Sequence, residues 1–489
     1  MPLALAVFAI PVAARALGPV RFGLLGLAWA LVEYLGFVEL GLGRTSVRFV
    51  AQSLTRSMSE VRQTVIVAVT TQALLGLAGC VALVLAARWL AYDVFDVPPD
   101  VRAEAVAMFQ VVGASVATVV LLGALRGVLE GAQRFGVSAM VKIPTAAAAV
   151  LIPAIGATAG ASLPEIMLWV LVVRLGAVAM LVFILPRVIR GFAWEWPREW
   201  RRLRALFRYS GWVAVSGVIN PVLASFERFA LGAFAGVAAL GLYTAPYEGA
   251  VRLLLIPTSV FAALFPSLSA VFARDDERVT SGRLLESALR QLALIMSPIL
   301  IILFAFAPEV LRLWLGAYFA QEMSTAFRIL LIGVLANGLA HVPSVFLYAV
   351  GRPDLSAKAH MFELVIYIPM TVMLVTTLGM TGAALAWTVR VLLDAGLLSF
   401  FAMEHGAGRG WADAGRRWRS TGGALATLTG AAVLAVLSFE RLPVGALLLL
   451  AAGAGAFALI GWKGGLAAAE RDAWLRLSFR SQRISQRTS

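Results

Sequence analysis

"RALGPVRFGLLGLAWA" (residues 15–30) is echoed half a chain later by "AFAGVAALGLYTAPYE" (residues 233–248). Gly18 and Gly23 in the first segment match Gly236 and Gly241 in the second at a single offset of 218 residues. Each glycine pair lies between two apolar stretches, and glycine permits both tight turns and close packing. The pattern predicts a helix–helix hinge that occurs twice, with these four glycines as the hinge residues.

The composition indicates a membrane protein. Hydrophobic residues make up 61% of the 489 residues and charged residues 14%, whereas soluble domains have about 45–50% apolar and about 25% charged residues. The one cysteine, Cys80, lies in an apolar run, which excludes disulfides within the chain and cysteine metal sites. The three histidines are scattered along the sequence. We therefore expect an all-α polytopic membrane protein without a metal site.

Fourteen apolar stretches approach the roughly 20 residues that a helix needs to cross a bilayer. Numbered as spans 1 to 14, they are 2–16, 22–43, 64–87, 103–125, 139–160, 164–186, 209–233, 238–271, 288–307, 324–349, 359–378, 380–401, 421–438 and 442–462. Span 1 is short, so either the start position is misassigned or this helix is thin. Span 8 is overlong and contains Pro257 and Pro266, which leaves its ends open.

The basic residues predict the orientation. With the N-terminus inside, 30 of the 41 lysines and arginines lie in inner loops or the C-terminal tail, and six lie in outer loops. Cytoplasmic loops carry such an excess of positive charge. We expect a cytoplasmic (inner) membrane protein with both termini in the cytoplasm. The net charge of +14 reflects this orientation and requires no nucleic-acid partner.

The repeated hinge predicts the domain organisation. Both hinges lie outside in this orientation, so the repeats are parallel, related by an axis along the membrane normal. Six spans separate the hinges, which predicts two six-helix bundles with two additional helices. The predicted segments are residues 1–190 for the N-terminal bundle, 191–208 for a basic, aromatic linker, 209–405 for the C-terminal bundle, 421–462 for spans 13 and 14, and 463–489 for a cytoplasmic tail.

The loops argue against an enzyme. The longest outer loops hold about fifteen residues each, too few for an extracytoplasmic domain. The sequence contains no P-loop, no Gly-rich dinucleotide turn, no metal-spaced histidine cluster and no Gly-x-Ser-x-Gly elbow. We expect neither a cofactor nor ATP-driven transport within this chain.

Charged side chains inside the spans are costly and are functional candidates. Glu248 and Arg252 on span 8 are four residues apart, as are Arg390 and Asp394 on span 12. Each pair shares a helix face and either neutralises itself or serves a cavity. Arg174 on span 6 has no partner at helical spacing, so it needs one from another span or from a substrate.

Four further charges complete the set of candidate binding residues. Glu33 lies near the middle of span 2. Arg15 and Arg228 lie near the outer ends of spans 1 and 7, where they either snorkel to the interface or form an outer basic gate. Arg44 lies just past the end of span 2, on the inner side. It either belongs to the general excess of positive charge on that side or contacts an incoming phosphate.

Several motifs in order carry a family resemblance. They are the "LGP" turn followed by "FG" near residue 18, "ELGLGRTSVRFVA" (39–51), "ERFALGAFAGVAALGLYTAPYEGAVRLLLIPTSVFAALFPSLS" (227–269), "VLRLWLGAYFA" (310–320), "FLYAVGRPDLSAKA" (346–359) and "LGMTGAALAWTV" (378–389). Over nearly its whole length the chain resembles the polysaccharide-export, O-antigen-type repeat-unit flippases of the multidrug/oligosaccharidyl-lipid/polysaccharide exporter superfamily. It departs from that family at Glu227, where an aspartate is often found, and in its short first span.

The resemblance implies a transporter that moves a lipid-diphosphate-linked oligosaccharide from the inner to the outer leaflet, in contact with membrane lipids. Polysaccharide polymerases or glycosyltransferases are possible partners. Arginine suits a diphosphate because its planar guanidinium donates two parallel hydrogen bonds. Two alternatives stay open: a cation-coupled exporter of drugs or small solutes from the same superfamily, and a membrane polymerase or ligase of lipid-linked sugars.

The charge bias generates a topology prediction. A reporter that is active only outside the cytoplasm, fused after Ser489, should stay silent, because fourteen spans return the chain to its starting side. The same reporter in the outer loop at 88–102 should be active and serves as the control. Activity of the C-terminal fusion would contradict the predicted topology.

Overall fold

The protein is all-helical in a computed structural model of the full chain. The structure describes residues 2–34, 47, 50–54, 56–189, 191–196, 219, 221–259, 278–405, 414–439, 442–468, 470 and 471. Within these residues there is no β-strand. Predicted site residue Arg44 and the side chain of Glu33 lie outside the described part.

The helices follow the apolar stretches of the sequence. The longer ones are Pro2–Tyr34, Met58–Trp89, Arg102–Gly131, Phe135–Thr158, Leu163–Val188, 221–234, Val237–Val251, Arg278–Ala305, Ala317–Ala349, Pro353–Glu404, Ala414–Phe439 and Pro443–Ile460. A short helix, Ala307–Trp314, connects spans 9 and 10 and is called the connecting helix below. Ten of the described helices are long and apolar enough to cross a membrane. Each of the fourteen predicted spans coincides at least partly with a described helix, which confirms the predicted fold class.

Breaks in the backbone reveal a parallel repeat. Spans 1 and 2 are separated by Gly18, and spans 11 and 12 by Gly379, both at positive φ inside an otherwise continuous helix. Other turns contain a positive-φ residue too, including two that are not glycine. Eight of the nine positive-φ residues in the described part fall into pairs that are 218 to 220 positions apart: Gly18 with Gly236, Asp96 with Gly316, Gln133 with Gly351, and Gly160 with Gly379. The left-handed conformation therefore recurs in the corresponding turns of both halves, in the same chain direction.

A close backbone contact joins the two repeats where span 2 crosses span 8. A Cβ on Gly23 would collide with the carbonyl oxygen of Val237, and a Cβ on Gly241 would collide with that of Pro19. Val237 lies 218 residues after Pro19, as Gly241 does after Gly23, so the contact is reciprocal. A Cβ on Gly26 would lie 2.5 Å from the hydroxyl oxygen of Thr244, its own repeat counterpart. A contact of this form is expected at a pseudo-twofold axis.

The chain divides into two compact units. The first comprises Met1–Gly249, Trp314–Met323 and His360–Ala386, and the second comprises Ala250–Leu313, Ser324–Ala359 and Trp387–Ser489. The bundle boundaries predicted at 190 and 209 stay a prediction. In the first unit, span 4 packs along spans 3 and 6 around a core of aliphatic side chains that includes Leu125 and Leu181. Residues 191–196 of the linker are not helical, and Trp194 donates a hydrogen bond to the carbonyl of Val182 at 3.1 Å.

Span 6 begins where its sequence supplies a cap. Ser162 and Glu165 form a capping box, in which the Glu165 carboxylate accepts the Ser162 amide at 2.7 Å. The next amide, that of Leu163, is free of intrahelical partners because it belongs to the first turn. It donates instead to Glu104 of span 4 at 2.9 Å, and the same carboxylate accepts Arg21, just before span 2, at 2.9 Å. These contacts hold the N-terminal end of span 6 against span 4 and the residue that precedes span 2.

In the second unit, a buried arginine holds the chain after span 14 against span 9. Arg290 donates to Glu286 at 3.0 Å, to Glu470 at 2.6 Å and to the carbonyl of Gly465. Burial by itself raises the pKa of the Glu470 carboxyl, but hydrogen bonds from Arg290, Ser287 and the Ala467 amide outweigh this and leave the pKa below its ordinary value.

Spans 9, 10 and 13 line an apolar cavity of about 460 Å³ in the second unit.

The crossing of spans 2 and 8 generates a stability prediction. Gly23→Ala should lower the free energy of unfolding by about 1–3 kcal/mol, because the added methyl group forces two backbones apart. Gly176→Ala is the matched control, since a Cβ there has no atom within 4 Å and alanine favours helix. Thermal unfolding of both variants in the same detergent tests this, and equal stability would show that the crossing is not a close one.

Candidate functional site

An ionic cluster lies inside the first unit, where spans 7, 8 and 11 meet. Span 7 carries Glu227 and Arg228, which are 0% and 2% exposed. Burial of such groups is costly unless they are paired and hydrogen-bonded. Arg228 Nη1 lies 3.6 Å from Glu248 Oε1 on span 8, and its Nε lies 4.0 Å from Glu227 Oε1. A hydrogen bond of 2.9 Å from Arg228 Nη2 to Ser225 completes the set. One guanidinium thus links carboxylates on two spans.

Three tyrosines enclose this ionic cluster. Tyr367 of span 11 donates its hydroxyl hydrogen to Glu227 Oε2 at 2.7 Å. Tyr247 lies beside Arg228, with 4.9 Å between its ring centre and the guanidinium carbon, a cation–π geometry. Tyr243, one helical turn earlier, stacks on Tyr247 with ring centres 5.5 Å apart. Because Glu227 and Arg228 are buried, their charges interact in a medium of low dielectric constant.

The structure connects Glu248 to a partner that spacing alone does not indicate. The sequence places Glu248 and Arg252 on one helix face, and that pairing stays a prediction; the structure in addition joins Glu248 to Arg228, twenty positions earlier on another span. Arg252 begins a 3₁₀ turn, Arg252–Leu254, and is half-buried. The two arginines therefore differ in surroundings, although both were predicted as cavity residues.

Arg174 is the opposite case, because its charge has no partner in the part of the chain that the structure describes. It lies between Val170 and Ala177 on the buried face of span 6, which also carries Met167 and Leu181. Within the described residues, Arg174 forms no ion pair, and its buried Nη1 has no hydrogen-bond partner. The helix starts at Leu163, so Arg174 lies about 16 Å along it, near the middle of a core about 30 Å thick.

The remaining predicted residues are spread over the fold. Arg390 and Asp394 on span 12 are both 9% exposed in the second unit. Arg15 donates a hydrogen bond to the carbonyl of Trp314 at 3.0 Å, so it is engaged in a specific contact near the C-terminal end of span 1. Gly18 and Gly236 lie at turns with positive φ, and Gly23 and Gly241 form the crossing between spans 2 and 8, while the hinge role of these four glycines stays a prediction. Which of these residues bind a substrate stays a prediction.

Sequence reasoning missed several polar groups that the fold buries. The hydroxyl of Tyr367 and the side chain of Trp314 contact residues more than a hundred positions away. Gln72 of span 3 is fully buried, and neither its amide nitrogen nor its amide oxygen has a hydrogen-bond partner among the described residues. A glutamine in the middle of an apolar run is the signal that would have identified this position.

The cluster generates a prediction that compares two buried tyrosines. Tyr367→Phe should lower the free energy of unfolding by about 1–3 kcal/mol, because it removes a hydrogen bond from the buried Glu227 carboxylate. Tyr243→Phe is the matched control: its ring is equally buried, but its hydroxyl has no partner among the described residues. Chemical unfolding in detergent distinguishes the two. Equal losses would show that the bond to Glu227 contributes nothing.

Comparison with known proteins places this fold in a known group. The fold is similar to that of a multidrug resistance MATE family transporter of the MOP superfamily in an inward-facing conformation. The TM-score is 0.70 at 14% sequence identity, and the match covers 84% of this chain and 96% of the other. The lipid II flippase MurJ in an inward closed conformation is similar with a TM-score of 0.70 at 13% sequence identity. This match covers 94% of the present chain and 96% of the MurJ chain. At these identities the likeness shows the shared fold alone.

Sequence comparison identifies the family. A protein of Shigella flexneri named "Putative O-antigen transporter" is 28% identical over 404 residues, which is 82% of this chain and 94% of the relative. The model of the polysaccharide biosynthesis protein family matches residues 12–323, more than half of the chain. The resemblance found in the sequence motifs is thereby confirmed, and the chain belongs to the polysaccharide biosynthesis protein family.

Proposed function

We propose that the protein is a flippase that moves a lipid-diphosphate-linked oligosaccharide across the cytoplasmic membrane for polysaccharide assembly. Membership of the family and the flippase and transporter folds support a membrane transporter. The name of the Shigella flexneri relative supports an oligosaccharide of the O-antigen type. The protein then acts by alternating access and carries out no covalent chemistry.

The observation that carries this proposal is Arg174. An arginine near the middle of a membrane helix costs about 2.5–3.5 kcal/mol on insertion scales. Arg228 recovers such a cost through two carboxylates, but Arg174 recovers none from the described residues. A mobile anion that enters the site during transport would neutralise it. The diphosphate of a lipid-linked sugar suits this role, because guanidinium binds phosphate with two parallel hydrogen bonds.

The shape of such a substrate fits a cavity between two bundles. The polar head crosses between the bundles while the lipid tail stays in the bilayer. In this scheme Arg174 and Arg252 face a shared cavity at similar depth. The other predicted charges line the ends or the walls of this cavity. They are Arg15, Glu33, Arg44, Arg228, Glu248, Arg390 and Asp394. The bundles 1–190 and 209–405 move relative to each other about the crossing of spans 2 and 8. Both termini lie in the cytoplasm, and polymerases or glycosyltransferases are partners in assembly.

The proposal predicts that Arg174 is needed for transport but not for folding. Arg174→Met should reduce flipping of a lipid-linked oligosaccharide at least tenfold in reconstituted vesicles. The same change should raise the free energy of unfolding by about 1–3 kcal/mol, because it removes an unneutralised cation from the membrane. Arg174→Lys should flip at an intermediate rate, since it keeps the charge but loses the two-pronged donor.

Arg187→Met is the matched control on the same helix. Arg187 is exposed at the inner end of span 6, where it donates to the carbonyl of Phe183, so its loss should leave flipping near the parent rate. Full flipping by Arg174→Met at normal protein levels would end the assignment. If the parent exports cationic drugs and flips no lipid-linked oligosaccharide, the protein is instead a solute exporter of the same superfamily.

A further inference from the structure

Trp314 touches two spans that belong to different repeats. It is the last residue of the connecting helix Ala307–Trp314, and it is half-buried although its neighbour Leu313 is 86% exposed. Its side chain reaches span 1 at Val7 and span 8 at Gly249, all within the first compact unit. Such a side chain bridges the two halves through a few specific contacts, unlike the broad backbone crossing of spans 2 and 8.

The contact with span 1 satisfies a carbonyl that a proline has freed. Span 1 contains Pro11, which has no N–H to donate to the carbonyl four residues earlier, that of Val7. In lipid no water replaces the missing donor, and an unsatisfied carbonyl there costs several kcal/mol. The indole Nε1 of Trp314 donates to the Val7 oxygen at 2.7 Å. The tryptophan thus supplies the hydrogen bond that the kinked helix lacks.

A second hydrogen bond holds the backbone of Trp314. The last carbonyls of a helix have no intrahelical donor, and the negative end of the helix dipole favours a cation there. Arg15 of span 1 occupies this position, and its Nη2 donates to the carbonyl oxygen of Trp314 at 3.0 Å. Span 1 therefore holds Trp314 at two points, one on each side of Pro11.

The contact with span 8 depends on a missing side chain. A Cβ on Gly249 would lie 2.6 Å from Cη2 and 2.9 Å from Cζ3 of the Trp314 ring, closer than real Cβ atoms approach other atoms. Only glycine leaves room for the ring at this position. The ring seats in a notch on span 8 while its N–H is bonded to span 1.

We propose that Trp314 is a strap that fastens span 1 to span 8 in this conformation and releases when the seam between them opens. This role rests on the proposed function. In that function the two repeats move relative to each other, and the lipid tail of the substrate extends between two spans, from the cavity that holds the head group into the bilayer. The Gly23–Gly241 crossing can persist through such a movement because it lies at the axis. The Trp314 contacts lie away from that crossing, and two hydrogen bonds and one ring contact are few enough to break and reform.

The first test measures release without any substrate. In a Cys80→Ser background, Ile10→Cys places a thiol at a position that is 1% exposed beside Pro11. Trp314→Ala should increase the rate of its labelling by a water-soluble maleimide at least tenfold, and Trp314→Phe, which keeps the ring but not the N–H, should give a smaller increase. Trp169→Ala is the control, because Trp169 is 41% exposed on span 6 and its ring lies beside Gly156 of span 5.

Native Cys80 distinguishes local release from unfolding. In chains that keep Cys80 and lack the Ile10 substitution, Trp314→Ala should leave the labelling rate of Cys80 on span 3 unchanged. An equal increase at both thiols, or no increase at Ile10→Cys, would overturn the strap.

The second test locks the strap during transport. Gly249→Cys and Trp314→Cys, joined by a short reducible bis-thiol reagent, should abolish flipping, and reduction of the same sample should restore it. Undiminished flipping by fully bridged protein would overturn the proposal. If the parent flips no lipid-linked oligosaccharide but Ile10→Cys labelling still responds to Trp314→Ala, the proposed substrate is wrong while the fastening of span 1 stands.

Discussion

Two helix backbones touch where span 2 crosses span 8, and much of the first compact unit is arranged around that contact. Gly23 and Gly241 each leave space for the other helix, and each contacts the carbonyl at the start of the opposing helix. Side chains cannot enter this crossing without separating the spans, so the helices are fixed in register by the absence of two methyl groups. The turns at Gly18 and Gly236, five residues earlier in each repeat, then set where spans 1 and 7 turn into spans 2 and 8.

Charges in the membrane are treated in two different ways. Arg228 is enclosed by Glu227, Glu248 and Tyr247, so its charge is compensated inside the protein. Such a group organises spans 7, 8 and 11 and can tolerate complete burial. Arg174 is half-buried on a helix face that carries aliphatic side chains, and it has no compensating carboxylate among the described residues. The first arrangement is expected of a structural centre, and the second of a group whose partner arrives with a ligand.

The sequence determines the spans far better than the contacts between them. A run of about 20 apolar residues must cross the membrane as a helix, because no other backbone conformation satisfies its own polar groups in lipid. The paired glycines revealed the repeat for a similar reason, since positive φ restricts the residue type. Contacts such as Glu227–Tyr367, 140 residues apart, and Trp314–Val7, 307 residues apart, follow no local period. They depend on how helices pack, which hydrophobicity leaves undetermined when every face is apolar.

The reciprocity of the Gly23–Gly241 crossing has a consequence for the origin of such a chain. Gly23 contacts the repeat counterpart of Pro19, and Pro19 contacts the repeat counterpart of Gly23. A reciprocal contact of this kind is found where two identical subunits meet about a twofold axis. A half-length chain that ended after span 6 would present the same glycine to a second copy of itself. The crossing therefore has the form of a homodimer interface contained within one polypeptide, which is the form that a fusion of two such copies would have. Away from the crossing the two halves differ, and Arg174 falls on the half that lacks the tyrosine-enclosed cluster.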